Sequence, residues 1–406
     1  MLNLTSKFSK YLLTFLTLSM ISGPIGVSAQ VSKTPILRGD VPVIEETDPY
    51  VLPEDYPQDI LDWYASNIDA RSYVVMDGET NRVLAEQKAN TRYPIASMSK
   101  VASIYLVYQA IKDGKLKMDD KIEIPQAIED NMSFNPEMSA MGLYGGVEYT
   151  VKDLIYGVML LSGNDATSAL MWHLYGSEQE GVKAIRELLK SWGMTNFEFY
   201  TVSGIPNQYI PEDWWIEGSV ADNENQMTAS DVALMAQHIV RDFPEILEVT
   251  SAESYVAQEG TEYEVVMSNP NQLLPGGAYE RAEITGLKSG MTDAAGKNFV
   301  ASGKENGREI YVVVMGLFDT AEMVMSSYWE VEILLDKLAE YPDLYKNEGL
   351  PVNQHEKPVE EETTVDGETT QSDEIESLIK EHGIPNENRR DNPITNFMKD
   401  IFNFFK

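Results

Sequence analysis

Arg308-Glu309-Ile310-Tyr311-Val312-Val313-Val314-Met315-Gly316-Leu317 is rich in β-branched and aromatic residues and reads as a strand, placed late in a chain whose middle reads as helix. The turn Glu305-Asn306-Gly307 joins it to a second strand, Asn298 to Ser302, and Ile284 to Ser289 makes a third. Near the other end, Tyr73-Val74-Val75-Met76 and Arg82-Val83-Leu84-Ala85 flank Asp77-Gly78-Glu79-Thr80-Asn81, which predicts an early hairpin. Strands at both ends with helices between them imply an α+β domain whose sheet is closed by the chain's return.

The helices announce themselves by their boundaries. Met98 to Ile111 is apolar almost all round, so it predicts a buried helix stopping near Gly114. Thr150-Val151-Lys152-Asp153 has the composition of a capping box opening Leu154 to Leu161, and Ser162-Gly163-Asn164 interrupts it before a helix running to Gly176. Thr228-Ala229-Ser230-Asp231 opens another through Val240, and a last one is expected from about Ala321 to Leu338.

The 406 residues are 43% hydrophobic and 24% charged, enough for a substantial core. Lys7 and Lys10 precede the apolar run Tyr11 to Ile21, and Val27-Ser28-Ala29 supplies small residues, so residues 1–29 read as a secretory signal and the protein as exported. Its removal takes the net charge from −34 to −36, which repels phosphate backbones and argues against a nucleic-acid partner. The absence of cysteine excludes disulfides, thiolate metal sites and a cysteine nucleophile.

Residues 30–56 read as a Pro-rich acidic leader, 57–345 as the folded domain, and 346–392 as an acidic disordered linker. In 393–406, Ile394, Phe397, Met398, Ile401, Phe402, Phe404 and Phe405 fall within about 160° of a helical wheel. That helix is too short to span a bilayer and is expected to anchor the protein peripherally in the outer surface of the cell membrane; docking on the protein itself is the alternative, which the acidic tether in front disfavours.

Four scattered histidines make neither a metal cluster nor a Ser-His-Asp triad, so any nucleophilic mechanism needs another base. Ser97-Met98-Ser99-Lys100 offers one: residues three apart share a helix face, and desolvation lowers a lysine pKa until the amine can take a serine proton. The bland alternative is a helix cap at Ser97, and the same spacing recurs without meaning at Ser377-Leu378-Ile379-Lys380. Ser162-Gly163-Asn164 lies in a tight turn between apolar helices, a place that points side chains into a cleft, although Ser133-Phe134-Asn135 shares its pattern. Lys288-Ser289-Gly290 puts a cation, a hydroxyl and a residue without Cβ on a strand, where a solvated edge lysine is the alternative.

Taken together and in order, Tyr93-Pro94-Ile95-Ala96-Ser97-Met98-Ser99-Lys100, Leu161-Ser162-Gly163-Asn164-Asp165-Ala166 and Gly286-Leu287-Lys288-Ser289-Gly290-Met291-Thr292-Asp293-Ala294-Ala295-Gly296 resemble the serine penicillin-recognising enzymes, and most closely the D-alanyl-D-alanine carboxypeptidases. The resemblance implies a β-lactamase/transpeptidase-like fold, an antiparallel sheet flanked by helices with an inserted, mainly helical lobe. It implies Ser97 as nucleophile, Lys100 as general base and Ser162 as proton relay. Asn164, Lys288, Ser289, Gly290 and Met291 become substrate-binding residues, with the Ser97 and Met291 N–H groups forming the oxyanion hole. Ser289 stands where the family usually has threonine, which keeps the hydroxyl. The implied partners are a peptidoglycan stem peptide and β-lactam antibiotics as covalent inhibitors, with no metal or organic cofactor. Where many members carry a β-rich second domain, this chain has its acidic stretch.

Three rivals follow. A class A β-lactamase needs a Glu-x-x-Leu-Asn segment, and none occurs between Ser162 and Lys288. A transpeptidase shares the acylation step, and a non-catalytic wall-binding module shares the fold.

Overall fold

The computed structural model describes residues 49–355 apart from Glu322. The expected signal, most of the leader, the rest of the acidic stretch and the amphipathic tail lie outside the described residues. No helix among those described is long and apolar enough to cross a membrane.

The chain enters through α1 (Gln58–Asn67), β1 (Ser72–Asp77), β2 (Val83–Gln87) and β3 (Arg92–Pro94), then a 3-10 turn, Ala96–Ser99, that runs into α2 (Lys100–Lys112). The helical lobe follows, with β4 (Lys121–Glu123), β5 (Glu148–Thr150), α3 (Val151–Leu160), α4 (Asn164–Tyr175) and α5 (Glu178–Ser191). After β6 (Gln226–Thr228) and α6 (Ala229–Asp242) come β7 (Ser254–Ala257) and β8 (Val265–Ser268). The chain closes with β9 (Ile284–Thr292), β10 (Gly296–Glu305), β11 (Arg308–Leu317) and α7 (Ser327–Ala339).

Five strands form one antiparallel sheet in the order β2-β1-β11-β10-β9, so the late strands do close on the early hairpin. Central β11 pairs Val313 with Val74 on one side and Val300 on the other. Its apolar run is unbroken because both faces are covered. Ile310, Val312 and Val314 pack with Ile60, Tyr64, Leu334 and Leu338, from α1 and α7. Tyr311, Val313 and Met315 join the cluster built from α2, α6 and the helical lobe. Each such side chain, fully buried, contributes about 1.5–3 kcal/mol. Asn306 and Gly307 both have positive φ (52° and 74°), the signature of the two-residue hairpin turn expected there.

The caps behave as read. Thr150 and Asp153 form the reciprocal capping box, the Thr228 hydroxyl accepts the Asp231 N–H, and Gly176 ends α4 in the left-handed region at φ 89°.

Three expectations need correction. The last helix starts at Ser327 instead of about Ala321, because Asp319 Oδ1 takes Lys297 Nζ and Met325 N–H, both at 2.7 Å, and holds the approach as a loop until Ser326 caps the helix. The acidic linker does not begin at 346: Val83 N–H donates to Pro351 O at 2.8 Å, Leu350 and Asn353 are buried, and Asn353 Nδ2 donates to Ser230 O at 2.8 Å. At the other end of the domain, Tyr50 and Tyr56 of the expected leader already lie against the core, Tyr56 donating to Leu84 O at 2.8 Å. Helix α5 and the strand pairs β3-β6, β4-β5 and β7-β8 were not anticipated.

Candidate active site

The nucleophile candidate sits where β3 becomes helix. Ala96 has φ 48°, a left-handed conformation costing about 1–3 kcal/mol for a residue with a Cβ. The 3-10 turn that follows, tightened by Ser99 Oγ donating to Ala96 O at 2.7 Å, brings Ser97 Oγ to 2.7 Å from Lys100 Nζ. Ser97 is therefore not a helix cap; no side-chain cap bond is made there.

Lys100 is fully buried, and its amine has two further partners: Asn164 Oδ1 at 2.7 Å and Ser203 O at 2.8 Å. Both of these only accept. A neutral amine with two N–H bonds and one lone pair fits this set, donating to the two oxygens and accepting the Ser97 hydroxyl proton. The electrostatics agree. Burial pushes the Lys100 amine well below the usual lysine range, the nearby Lys288 charge adds to that, and Asp165 and Glu178 draw it partly back.

The turn between α3 and α4 carries the next group. Ser162 has φ 58°, and Gly163 N–H closes the turn on Gly157 O at 3.0 Å. Asn164 opens α4, so its amide reaches Lys100 from the helix's first position. Asp165 fixes the turn from below: its buried carboxylate accepts the N–H groups of Met141 (2.8 Å), Gly142 (2.9 Å), Leu143 (3.2 Å) and Ala166 (2.8 Å).

Strand β9 supplies the third wall. Lys288, 2% exposed, places its amine 3.0 Å from Ser162 Oγ and 3.1 Å from Ser289 O, and burial lowers it to about 7. A Cβ on Gly290 would stand 2.6 Å from Ile95 O and 3.0 Å from Ser97 N, so only glycine lets this strand lie against the nucleophile turn. Ser289 is half-buried beside it, and the Met291 side chain is exposed. The lysine is thus no solvated edge residue. All three motifs converge on one site.

Several contributing residues escaped the sequence reading. The Ser203 carbonyl is presented by a turn in which Thr201 Oγ donates to Ile205 O at 2.8 Å and Gly204, at φ 84°, packs so closely that a Cβ would fall 2.0 Å from Ala96 O. Buried Glu178 receives Val202 N–H, Ser168 Oγ–H and Trp172 Nε1–H, bracing that turn against α4. Main-chain acceptors carry no side-chain signature. The only available hint was a glycine, Gly204, following a serine.

Against known proteins, the sequence profile of the family described as D-alanyl-D-alanine carboxypeptidase matches residues 61–319. The D-alanyl-D-alanine carboxypeptidase DacC of Escherichia coli K12 is 31% identical over 257 residues, covering 62% of this chain and 58% of that protein. DacA of the same organism is 33% identical over 252 residues, covering 61% and 56%. The chain thus matches less than three fifths of the length of these curated relatives. Among solved structures, a peptidoglycan synthesis regulatory factor (PBP3) from Streptococcus pneumoniae superposes with TM-score 0.63 and 28% identity, over 68% of this chain and 72% of that one. Penicillin binding protein 5 from Haemophilus influenzae gives 0.54 and 28%, over 68% and 71%. With the profile spanning more than half of the chain and all three motifs inside it, the protein belongs to the D-alanyl-D-alanine carboxypeptidase family.

Proposed function

We propose that the protein is a serine-type D-alanyl-D-alanine carboxypeptidase that removes the terminal D-alanine of peptidoglycan stem peptides and is acylated by penicillins. The observation carrying this reading is the Lys100 amine at 2.7 Å from Ser97 Oγ, with its two other partners able only to accept.

Ser97 Oγ attacks the carbonyl between the last two D-alanines while its proton passes to Lys100. The negative charge on the former carbonyl oxygen is met by the N–H groups of Ser97 and Met291, donors worth several kcal/mol when aimed correctly, about 3 each. The C–N bond then breaks, and the departing amine takes a proton through Ser162, which Lys288 holds from the other side. Water hydrolyses the ester on Ser97 and restores the hydroxyl. Lys288 and Ser289 bind the terminal carboxylate, a role for a cation and a hydroxyl set on one strand. Asn164 gives its oxygen to Lys100, which leaves its amide nitrogen as the end to meet the substrate backbone.

Mass spectrometry of a stem pentapeptide incubated with wild type and Ser97→Ala tests this reading. Wild type yields tetrapeptide and free D-alanine, and the variant yields neither. D-alanine released with cross-linked peptide in place of tetrapeptide marks a transpeptidase, in which an amine instead of water takes the acyl group from Ser97. A well-folded wild type with no product and no penicillin adduct marks a binding module.

The setting belongs to the same proposal. Residues 1–29 direct export, and the amphipathic segment 393–406 lies in the outer surface of the cell membrane at the end of an acidic tether. Deleting 394–406 releases the mature protein from membranes with hydrolysis intact; continued association after the deletion contradicts the anchor.

A further inference from the structure

Glu224 is a buried carboxyl beside the site that the chemistry above does not use. It is 5% exposed, and its Oε2 accepts the Thr292 hydroxyl at 2.6 Å. Thr292 ends β9 directly after Met291, and its Oγ in turn accepts Ala295 N–H at 3.0 Å. A hydroxyl that accepts on one side still needs a place for its own proton. An ionised carboxylate, which only accepts, fixes that rotor in one direction.

The next residue reaches the facing wall. Asn225 O accepts Ile95 N–H at 3.0 Å, two residues before Ser97. The Asn225 side chain accepts Tyr200 N–H (2.7 Å) and Thr201 N–H (3.1 Å) and donates to Thr201 O (2.8 Å), on the approach to Ser203. Two consecutive residues therefore tie together the end of β9, the entry to the nucleophile turn and the segment that offers Lys100 its carbonyl partner. A shift at Glu224 would be felt as a change in the spacing between β9 and Ser97, where Gly290 already allows no slack.

We propose that Glu224 is a positioning residue for acylation: in its ionised form it holds Thr292, and through it the Met291 N–H, at the working distance from Ser97. This rests on the catalytic reading of the preceding subsection. Burial raises the Glu224 carboxyl to about 6, the charge of Asp293 in the β9–β10 turn adds to the rise, and the Thr292 bond opposes it. Another titratable group facing it is the Tyr209 phenol, which burial pushes upward, with the charges of Asp293, Glu137 and Glu224 adding to the rise. The sign follows directly. Above about 6 the carboxylate is ionised and the hold is complete; below it the group is protonated and the hold weakens. Acylation then falls on the acid side for a reason separate from protonation of Lys100.

The test is the second-order rate of Ser97 acylation by labelled penicillin from pH 5 to 9, with thermal midpoints, for wild type, Glu224→Gln, Glu224→Ala, Thr292→Val and the double variant Glu224→Ala/Thr292→Val. In this reaction Ser97 Oγ bonds the lactam carbonyl carbon, the lactam C–N bond opens and the nitrogen takes the proton. Glu224→Gln keeps an acceptor without a titrating proton, so the steeper fall below pH about 6 disappears while any limb owed to Lys100 remains. Glu224→Ala and Thr292→Val each slow acylation about tenfold at pH 8, the size of one charge-assisted hydrogen bond. The double variant is no slower than either single change. An unchanged acid limb in Glu224→Gln, or losses that multiply in the double variant, overturns the proposal and leaves Glu224 a packing residue. Should Glu224→Ala fail to fold, Glu224→Gln and Thr292→Val still decide the question. No adduct in wild type sinks the catalytic reading, and this inference with it; an adduct with an unaltered pH profile in Glu224→Gln sinks the inference alone.

Discussion

The Lys288 amine stands 3.0 Å from the Ser162 hydroxyl, a contact across 126 positions that joins β9 to the turn between α3 and α4. It completes a symmetry of means: two buried lysines, each beside a serine hydroxyl, in a site dry enough to disfavour both charges. The first consequence is electrostatic. Below about pH 7, where Lys288 is charged, Lys288→Met removes a positive charge that lowers Lys100, so the Lys100 pKa rises. More of the base is then protonated at a given pH, and the acid limb of acylation moves to higher pH. Loss of the carboxylate anchor lowers kcat/KM for the pentapeptide by about a hundredfold or more. A pH profile of penicillin acylation and the kinetics of D-alanine release check both parts.

Lys100→Ala removes the base and leaves Asn164 Oδ1 and Ser203 O without their donor. Adduct formation with penicillin falls by about 10²–10⁴-fold, the range for a lost general base. Each orphaned oxygen lowers unfolding free energy by about 1–3 kcal/mol, read from the denaturation midpoint. A variant that acylates at the wild-type rate would remove Lys100 from the mechanism.

Gly290→Ala sets a steric test of how closely β9 meets the nucleophile turn. The added Cβ would lie 2.6 Å from Ile95 O and 3.0 Å from Ser97 N, so strand and turn must part. Acylation falls about tenfold or more, because a misplacement near 1 Å costs up to about a hundredfold. The loss in thermal stability is small beside it. Gly204→Ala is harsher, since that residue also sits at φ 84°, and it reduces the yield of folded protein.

The ends of the domain give a pH effect on stability. His355 pairs with buried Asp231, and that contact raises the imidazole above its ordinary value. A raised folded pKa favours the folded state fully below the unfolded value near 6.5, and the benefit is lost as pH rises through the folded pKa. His355→Ala therefore destabilises the protein more at pH 6 than at pH 9, measured by urea denaturation at the two pH values. Equal losses at both would show that the pair contributes nothing through charge.

What the sequence made legible was local. Thr150, Thr228 and Gly176 mark helix ends because capping is settled within a few residues, and Asn306-Gly307 marks its hairpin because φ must be positive twice. The three motifs point to one site because their order and neighbours resemble a family, whereas spacing alone left each with a bland alternative. What stayed hidden depends on distant packing. Ser203 acts through a carbonyl, Glu224 belongs to none of the three motifs, and the stretch after 346 reads as tether until Leu350 and Asn353 are seen buried. The short pairs β3-β6 and β4-β5 take their order from partners far along the chain, which no local pattern reveals.

The account turns on an uncharged Lys100 drawing the proton from Ser97. Intact-mass spectrometry of the protein after brief exposure to penicillin, with peptide mapping of the adduct across pH, measures this most directly. The expected result is one penicillin mass on Ser97 in wild type, absent in Ser97→Ala and formed at least about a hundredfold more slowly in Lys100→Ala. An adduct on another residue, or acylation of Ser97 indifferent to the loss of Lys100, would contradict it.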